Sequence, residues 1–286
     1  MGAIAGVATL PRAAAVLEQA GAENFPVASR LLSRRDREHL MALYGYARLV
    51  DDTGDEAAGD RAALLDELEA ELDRIYAGAE PRHALTRRLR DAVEACDLPR
   101  APLQALIEAN RQDQVVHDYA TFDELLRYGE LSANPVGRLV LHVFAAATPE
   151  RIERSDRVCT ALQLAEHCQD VAEDLARGRV YLPAEDRERF GVSIEDLRRS
   201  PAPERVRTLL AFEVARGREI LAAGAPLVGT LRGRRRLAVA AFVAGGRAAF
   251  AAIQRAGCDV SAGPPRATRA ARGRELLGVL AGRSGR

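Results

Sequence analysis

Apolar residues along this chain recur at helical spacing, and no run of alternating β-branched residues interrupts the pattern, so an all-α protein is expected. Helical stretches are predicted over approximately 36–52, 60–78, 83–96, 102–118, 122–130, 134–148, 150–177, 203–224, 232–256 and 268–283. Their ends coincide with helix-breaking chemistry. Gly78-Ala79-Glu80-Pro81, Leu98-Pro99-Arg100-Ala101-Pro102, Ser132-Ala133-Asn134-Pro135, the 178–203 loop with Pro183, Pro201 and Pro203, and Gly263-Pro264-Pro265 all fall between them. Residues 1–22 read as a loosely ordered lead-in, 23–267 as one helical domain, and 268–286 as a C-terminal helix with a basic tail. No long Gly/Ser linker and no repeat of 20–50 residues divides the chain. The apolar run Leu237-Ala238-Val239-Ala240-Ala241-Phe242-Val243-Ala244 reads as a buried core helix. No stretch is expected to supply the roughly 20 apolar residues that span a bilayer.

Composition narrows the class. At 286 residues the chain can bury a sizeable core, and its formal net charge of zero argues against general nucleic-acid binding. Arg232-Gly233-Arg234-Arg235-Arg236 and the basic tail after Arg266 read as a solvated helix start and a frayed terminus. Cys96, Cys159, Cys168 and Cys258 are scattered without a C-x-x-C pair, which suits a reducing compartment and makes cysteine-bound zinc unlikely. The opening segment lacks a basic n-region, so a signal peptide is not expected. The expectation is a cytoplasmic protein, with peripheral contact at the inner face of the membrane compatible with it.

Two acidic clusters carry the chemistry: Asp51-Asp52-Thr53-Gly54-Asp55-Glu56 and Asp170-Val171-Ala172-Glu173-Asp174. Asp51 and Asp55 are four apart, as are Asp170 and Asp174, so on a helix each pair shares one face, where like charges repel. A hard divalent cation would compensate. Mg²⁺ takes one or two carboxylates, keeps several waters and completes its shell with substrate phosphate oxygens. A solvated acidic face is the plainer reading of either pair alone. The matching pairs and the apolar stretches that precede them favour carboxylates aimed into a cavity. Arg48, one turn before Asp51, can orient a carboxylate or grip a phosphate oxygen through a forked pair of hydrogen bonds. His117, Asp118 and Asp113 read as a surface polar cluster and His167 as packing beside the second acidic cluster.

These motifs make the chain resemble the squalene/phytoene synthase family over nearly its whole length, from about Glu23 to about Arg266. The marks are Tyr44-Gly45-Tyr46-Ala47-Arg48-Leu49-Val50-Asp51-Asp52 with Asp55, and Leu162-Gln163-Leu164 leading to Gln169-Asp170-Val171 with Asp174 and Arg179-Val180-Tyr181-Leu182-Pro183. A third is Tyr128 followed by Ser132-Ala133-Asn134-Pro135-Val136-Gly137-Arg138. The resemblance implies the all-α isoprenoid synthase fold, a single domain with a central active-site cavity between helices. It implies that Asp51, Asp55, Asp170 and Asp174 hold two or three Mg²⁺ ions with the diphosphate, and that Arg48 contacts that diphosphate. It further implies that Tyr128 and Tyr181 line the reacting region, that Gln163 makes a polar contact at the cavity neck, and that Arg266 reaches the diphosphate. Asn24 and Phe25 would close the entrance. Glu166 stands where the family usually has asparagine; it either gives the metal a charged ligand or pairs with a nearby arginine.

The segment Glu23-Asn24-Phe25-Pro26-Val27-Ala28-Ser29 resembles the hydroxysqualene-forming branch found in bacterial hopanoid clusters. That branch converts presqualene diphosphate to hydroxysqualene and works beside a presqualene diphosphate synthase. The expected substrate is therefore a small-molecule isoprenoid diphosphate, and no nicotinamide cofactor is expected. The alternatives are presqualene diphosphate or squalene synthesis from two farnesyl diphosphates, phytoene synthesis, and a catalytically inactive helical scaffold.

Overall fold

The structure is a computed structural model that describes residues 9–11, 13 and 32–282. Among these residues no β-strand occurs; a single isolated bridge pairs Asp118 with Val180. Contacts group the chain into two compact units. The first comprises the described residues through Val115 together with Arg138–Ala147, and the second Val116–Gly137 with Thr148 onward.

In the first unit, α1 (Arg34–Asp55) starts where Ser33 accepts a hydrogen bond from the amide of Asp36. Its buried stripe of Leu40, Leu43, Tyr46, Leu49, Val50 and Thr53 follows helical spacing. The Tyr46 hydroxyl donates to the carbonyl of Leu103 at 3.0 Å, satisfying the one polar atom on a fully buried ring. Around α1 pack α2 (Arg61–Tyr76), α3 (Ala84–Cys96) and α4 (Arg100–Gln112). The run predicted to 118 stops at Gln112, because residues 117–120 leave the helix to bond with a later segment.

The second unit contains α5 (Phe122–Ser132) and begins α6 (Asn134–Val143), whose later residues belong with the first unit. It continues with α7 (Pro149–Gln169), α8 (Val171–Ala176), α9 (Ala184–Arg189), α10 (Ile194–Leu197), α11 (Glu204–Gly224), α12 (Leu227–Thr230), α13 (Gly233–Arg255) and α14 (Arg269–Leu280). Helices α7 and α11 form the main packed pair. Gly224 lets them approach, since a Cβ there would sit 2.8 Å from the carbonyl of Arg154. The 178–203 segment, expected to be loop, contains α9 and α10. Arg216 on α11 forks onto Asp186 at 2.8 and 3.1 Å and holds that segment down.

The α13 helix buries Ala238, Val239, Ala240, Val243 and Ala244, as the sequence pattern predicts. Its 23 residues are nevertheless long and apolar enough to cross a bilayer by length and composition, contrary to the expectation that no stretch is. Alanine and glycine interleaved with the larger apolar residues extend the apolar run beyond the stretch visible by eye. More than half of it is buried against α7, α11, α12 and α14, as a core helix would be.

Candidate active site

The first acidic cluster forms the last turn of α1. Burial of Val50 and Thr53 turns Asp52 and Gly54 into protein, while Asp51 and Asp55 stay open to solvent. Protein still surrounds Asp51 closely enough that desolvation pushes its carboxyl up to about 6. A hydrogen bond from Asn110 and the charge of Arg48 act against that rise, and Asp55 and Asp52 add to it. Asn110 Nδ2 lies 3.1 Å from Asp51 Oδ1. Arg48 Nε lies 2.8 Å from Asp52, with Glu56 at 3.7 Å, so the ion pair that it forms here is to Asp52.

The second cluster is arranged differently. Its predicted helix over 150–177 breaks at Asp170 (φ −101°, ψ 14°), which ends α7 and precedes α8. Hydrogen bonds still run through the break, from the Asp170 amide to the Glu166 carbonyl at 2.9 Å and from the Asp174 amide to the Asp170 carbonyl at 2.8 Å. A regular helix would stack Glu166, Asp170 and Asp174 on one face at the cost of charge repulsion, and Asp170 still raises Asp174 across the break. The Glu166 side chain is exposed. Desolvation and Glu173 raise Asp170, with Arg177 and Arg266 opposing. Asp174 is pushed up to about 7 by desolvation and then by Asp170, against the charges of Arg177 and Arg179. Arg266, far away in sequence, is thus within electrostatic reach of Asp170, and the Gln169 amide anchors its neighbour Pro265 through the carbonyl.

Beside Asp174 lies an aromatic wall. The rings of His167 and Tyr181 stack at 3.9 Å, and Tyr119 packs against Tyr181 at 5.9 Å and Tyr128 at 5.5 Å. A narrow cleft of about 10 Å³, room for about one water, is lined by His167, Asp174, Arg179, Tyr181 and Leu182 among others. Burial pushes His167 down to about 3, which keeps its imidazole neutral. The wall is held from behind. Val180 donates to the carbonyl of His117 at 2.7 Å, Ala184 to that of Tyr119 at 2.9 Å, and one guanidinium nitrogen of Arg187 donates to both carboxylate oxygens of Asp118 at 2.7 and 2.5 Å. Asp118 is therefore half of an ion pair rather than part of a loose surface cluster. Gln163 donates to the Ser132 hydroxyl at 2.6 Å, and Ser132 to the carbonyl of Tyr128 at 3.0 Å, so the Gln163 amide braces the tyrosine-bearing helix.

Sequence reasoning missed Tyr119, Arg177, Asn110 and Gln114. Tyr119 and Arg177 lie near recognised motifs, whereas nothing in the sequence marks Asn110 as a neighbour of Asp51. Asn24 and Phe25, with the rest of the opening motif, lie outside the described residues. Among the described residues no group of three or more His, Cys, Asp and Glu side chains is placed to hold a metal ion by itself. The paired, desolvated carboxylates instead fit Mg²⁺, a hard cation that needs one or two carboxylates and takes its remaining oxygens from water and phosphate.

The described residues form an all-α protein with two acid pairs flanked by arginines and an aromatic cleft beside the second. The squalene/phytoene synthase profile matches residues 19–273. A hydroxysqualene synthase of Sinorhizobium fredii is 34% identical over 217 residues, covering 73% of this chain and 72% of that protein. A phytoene synthase of Cereibacter sphaeroides is 34% identical over 201 residues, covering 66% of this chain and 56% of its own length. The crystal structure of the squalene synthase HpnC from Alicyclobacillus acidocaldarius superposes with a TM-score of 0.79 at 43% identity, covering 85% of this chain and 92% of that one. The chain belongs to the squalene/phytoene synthase family and has its all-α isoprenoid synthase fold.

Proposed function

We propose that this protein is a Mg²⁺-dependent enzyme that converts presqualene diphosphate to hydroxysqualene with release of diphosphate. The observation that carries the reading is the aromatic wall of Tyr119, Tyr128, Tyr181 and neutral His167 beside the desolvated Asp170/Asp174 pair. An anionic leaving group and a carbocation are the two partners that such a surface serves. Each acid pair, Asp51 with Asp55 and Asp170 with Asp174, would hold Mg²⁺. When bound, Mg²⁺ would neutralise the diphosphate and make it a better leaving group. Arg177, Arg179 and Arg266 add positive charge near Asp170 and Asp174 and help retain the departing anion. Arg48 is proposed to contribute to diphosphate binding from its place beside Asp52.

As the carbon–oxygen bond breaks, its electron pair leaves with the diphosphate and a cyclopropylcarbinyl cation remains. The tyrosine faces stabilise it by cation–π attraction, and the neutral imidazole adds no opposing charge. After rearrangement, water adds its oxygen to the cation and loses a proton to solvent or diphosphate, giving the alcohol. The similarity to the hydroxysqualene synthase over nearly three quarters of both chains supports this product. The name of the 43%-identical structure favours a second reading, squalene synthesis, which would require a hydride donor. A cytoplasmic protein that touches the membrane surface and receives its substrate from a presqualene diphosphate synthase is part of the same proposal.

Gas chromatography–mass spectrometry of the products from purified protein, Mg²⁺ and presqualene diphosphate without nicotinamide tests it. Hydroxysqualene is expected. Squalene appearing only when NADPH is added would establish the second reading, and no turnover of presqualene or farnesyl diphosphate would leave a helical scaffold.

A further inference from the structure

The first acidic cluster has a support on α4 that no motif announces. Asn110 is only 5% exposed, and its Nδ2 donates both to Asp51 Oδ1 at 3.1 Å and to the carbonyl of Leu106 at 3.2 Å. Both amide hydrogens are thereby used, which fixes the direction of the side chain. Its Oδ1 lies against the face of α1 at Gly54, where a Cβ would come within 2.1 Å of it. Gln114 closes the arrangement, donating to the carbonyl of Gly54 at 3.0 Å and to that of Asn110 at 2.9 Å. The last turn of α1 and the end of α4 are therefore joined at one point, directly under Asp51. Gly54 contributes by having no side chain.

We propose that Asn110 is a positioning residue that holds the Asp51 carboxylate in the orientation its cation requires, with Gly54 providing the space and Gln114 the tether. The proposal rests on the Mg²⁺ reading above. A neutral donor suits the task. It takes up one carboxylate oxygen's lone pair without the positive charge of arginine or lysine, which would compete with the metal. The remaining lone pairs of Asp51 stay available to a cation. Partners of this kind, which bond to a ligand and not to the metal, typically control metal affinity by about 10–100-fold.

The test is Mn²⁺ binding to the full-length protein in the presence of inorganic pyrophosphate, followed by the electron paramagnetic resonance signal of free Mn²⁺. Wild type is compared with Asp51→Asn, Asn110→Ala, Asn110→Leu, Gly54→Ala and the double variant Asn110→Ala/Gly54→Ala. Asn110→Leu keeps the branching and heavy-atom count of the side chain and removes the donor, so it reports on the hydrogen bond if the alanine variant folds poorly. Asn110→Ala, Asn110→Leu and Gly54→Ala are each expected to weaken Mn²⁺ binding by about 10-fold. The double variant should also lose about 10-fold rather than the product of the two, because removing the amide also removes the obstacle to a Cβ at position 54. Equal Mn²⁺ affinity in wild type and Asp51→Asn would overturn the metal reading itself. Loss in Asp51→Asn with wild-type affinity in Asn110→Leu would overturn the positioning role alone. Multiplying effects in the double variant would reduce both sites to general loosening of the fold and would also overturn it.

Discussion

The two D-x-x-x-D clusters have the same spacing and different surroundings. Asp51 and Asp55 end an uninterrupted helix, and the hydrogen bond to Asp51 comes from a neutral amide, Asn110. Asp170 and Asp174 straddle a helix break and are opposed by the charges of Arg177, Arg179 and Arg266. In each cluster desolvation is the main force that raises a carboxyl, Asp51 to about 6 and Asp174 to about 7. The neighbours, rather than the spacing, decide how much each pair gains from a cation. A cluster already flanked by arginines can retain a departing anion. The first cluster has one neighbouring guanidinium, Arg48, besides its amide.

The largest effects should come from removing a carboxylate. Asp51→Asn and Asp170→Asn are each expected to lower kcat/KM by about 10³-fold, the scale of several kcal/mol of lost charge stabilisation. Circular dichroism should show both variants folded. Activity within tenfold of wild type in either would remove that cluster from the catalytic machinery.

Stability should separate the clusters in the opposite sense. A carboxyl whose pKa is raised on folding binds its proton more tightly in the native state. Its contribution to stability is complete below the ordinary carboxyl pKa near 3.9 and is lost as pH rises through the raised value. For Asp174 the loss extends to about 7 and for Asp51 to about 6. Asp174→Asn should therefore stabilise the metal-free protein at pH 8 while inactivating it. Because the group is partly solvated, screening keeps the gain to about 1 kcal/mol, or roughly 2–4 °C in Tm. Asp51→Asn should gain less. A thermal melt at pH 8 and pH 5 measures both, and the difference between Asp174→Asn and wild type should shrink at pH 5. In the Mg²⁺-bound enzyme proposed above, the cation would favour the ionised carboxylates, so the acid limb of turnover is expected to shift to lower pH as Mg²⁺ is raised.

Much of this was legible in the sequence, for physical reasons that differ from place to place. The helices were legible because their buried stripes are long and their ends carry Gly, Pro or capping residues, as Ser33 shows for α1. The acid pairs stood out because like charges at helical spacing are costly unless something compensates them, whereas Tyr128 and Tyr181 came from the resemblance to the family. The break at Asp170 was hidden, because the local sequence Gln169-Asp170-Val171 contains neither glycine nor proline. The partners Asn110 for Asp51 and Arg187 for Asp118 were hidden as well, being 59 and 69 residues away along the chain. Long-range pairs of ordinary polar residues leave no periodic trace. Arg266 is the exception. Its distance from Asp170 in sequence is large, and the family motif alone suggested it.

Arg266 also gives the smallest effect and the most discriminating one. The residue is exposed, so its influence on Asp170 crosses solvent and is open to screening. Arg266→Gln should raise the KM for the diphosphate substrate by about 2–5-fold at low salt, the scale of an exposed charge, and leave Tm unchanged. The Debye length falls from about 10 Å at 0.1 M salt to about 3 Å at 1 M, so the ratio of wild type to variant should approach one as salt rises. Asn110→Leu, whose effect runs through a direct, half-buried hydrogen bond, should keep its ratio across the same series. If the Arg266→Gln ratio also persists at high salt, the guanidinium acts by direct contact with the diphosphate rather than through space. The second cluster would then hold its anion by bonds as short-ranged as the one between Asn110 and Asp51.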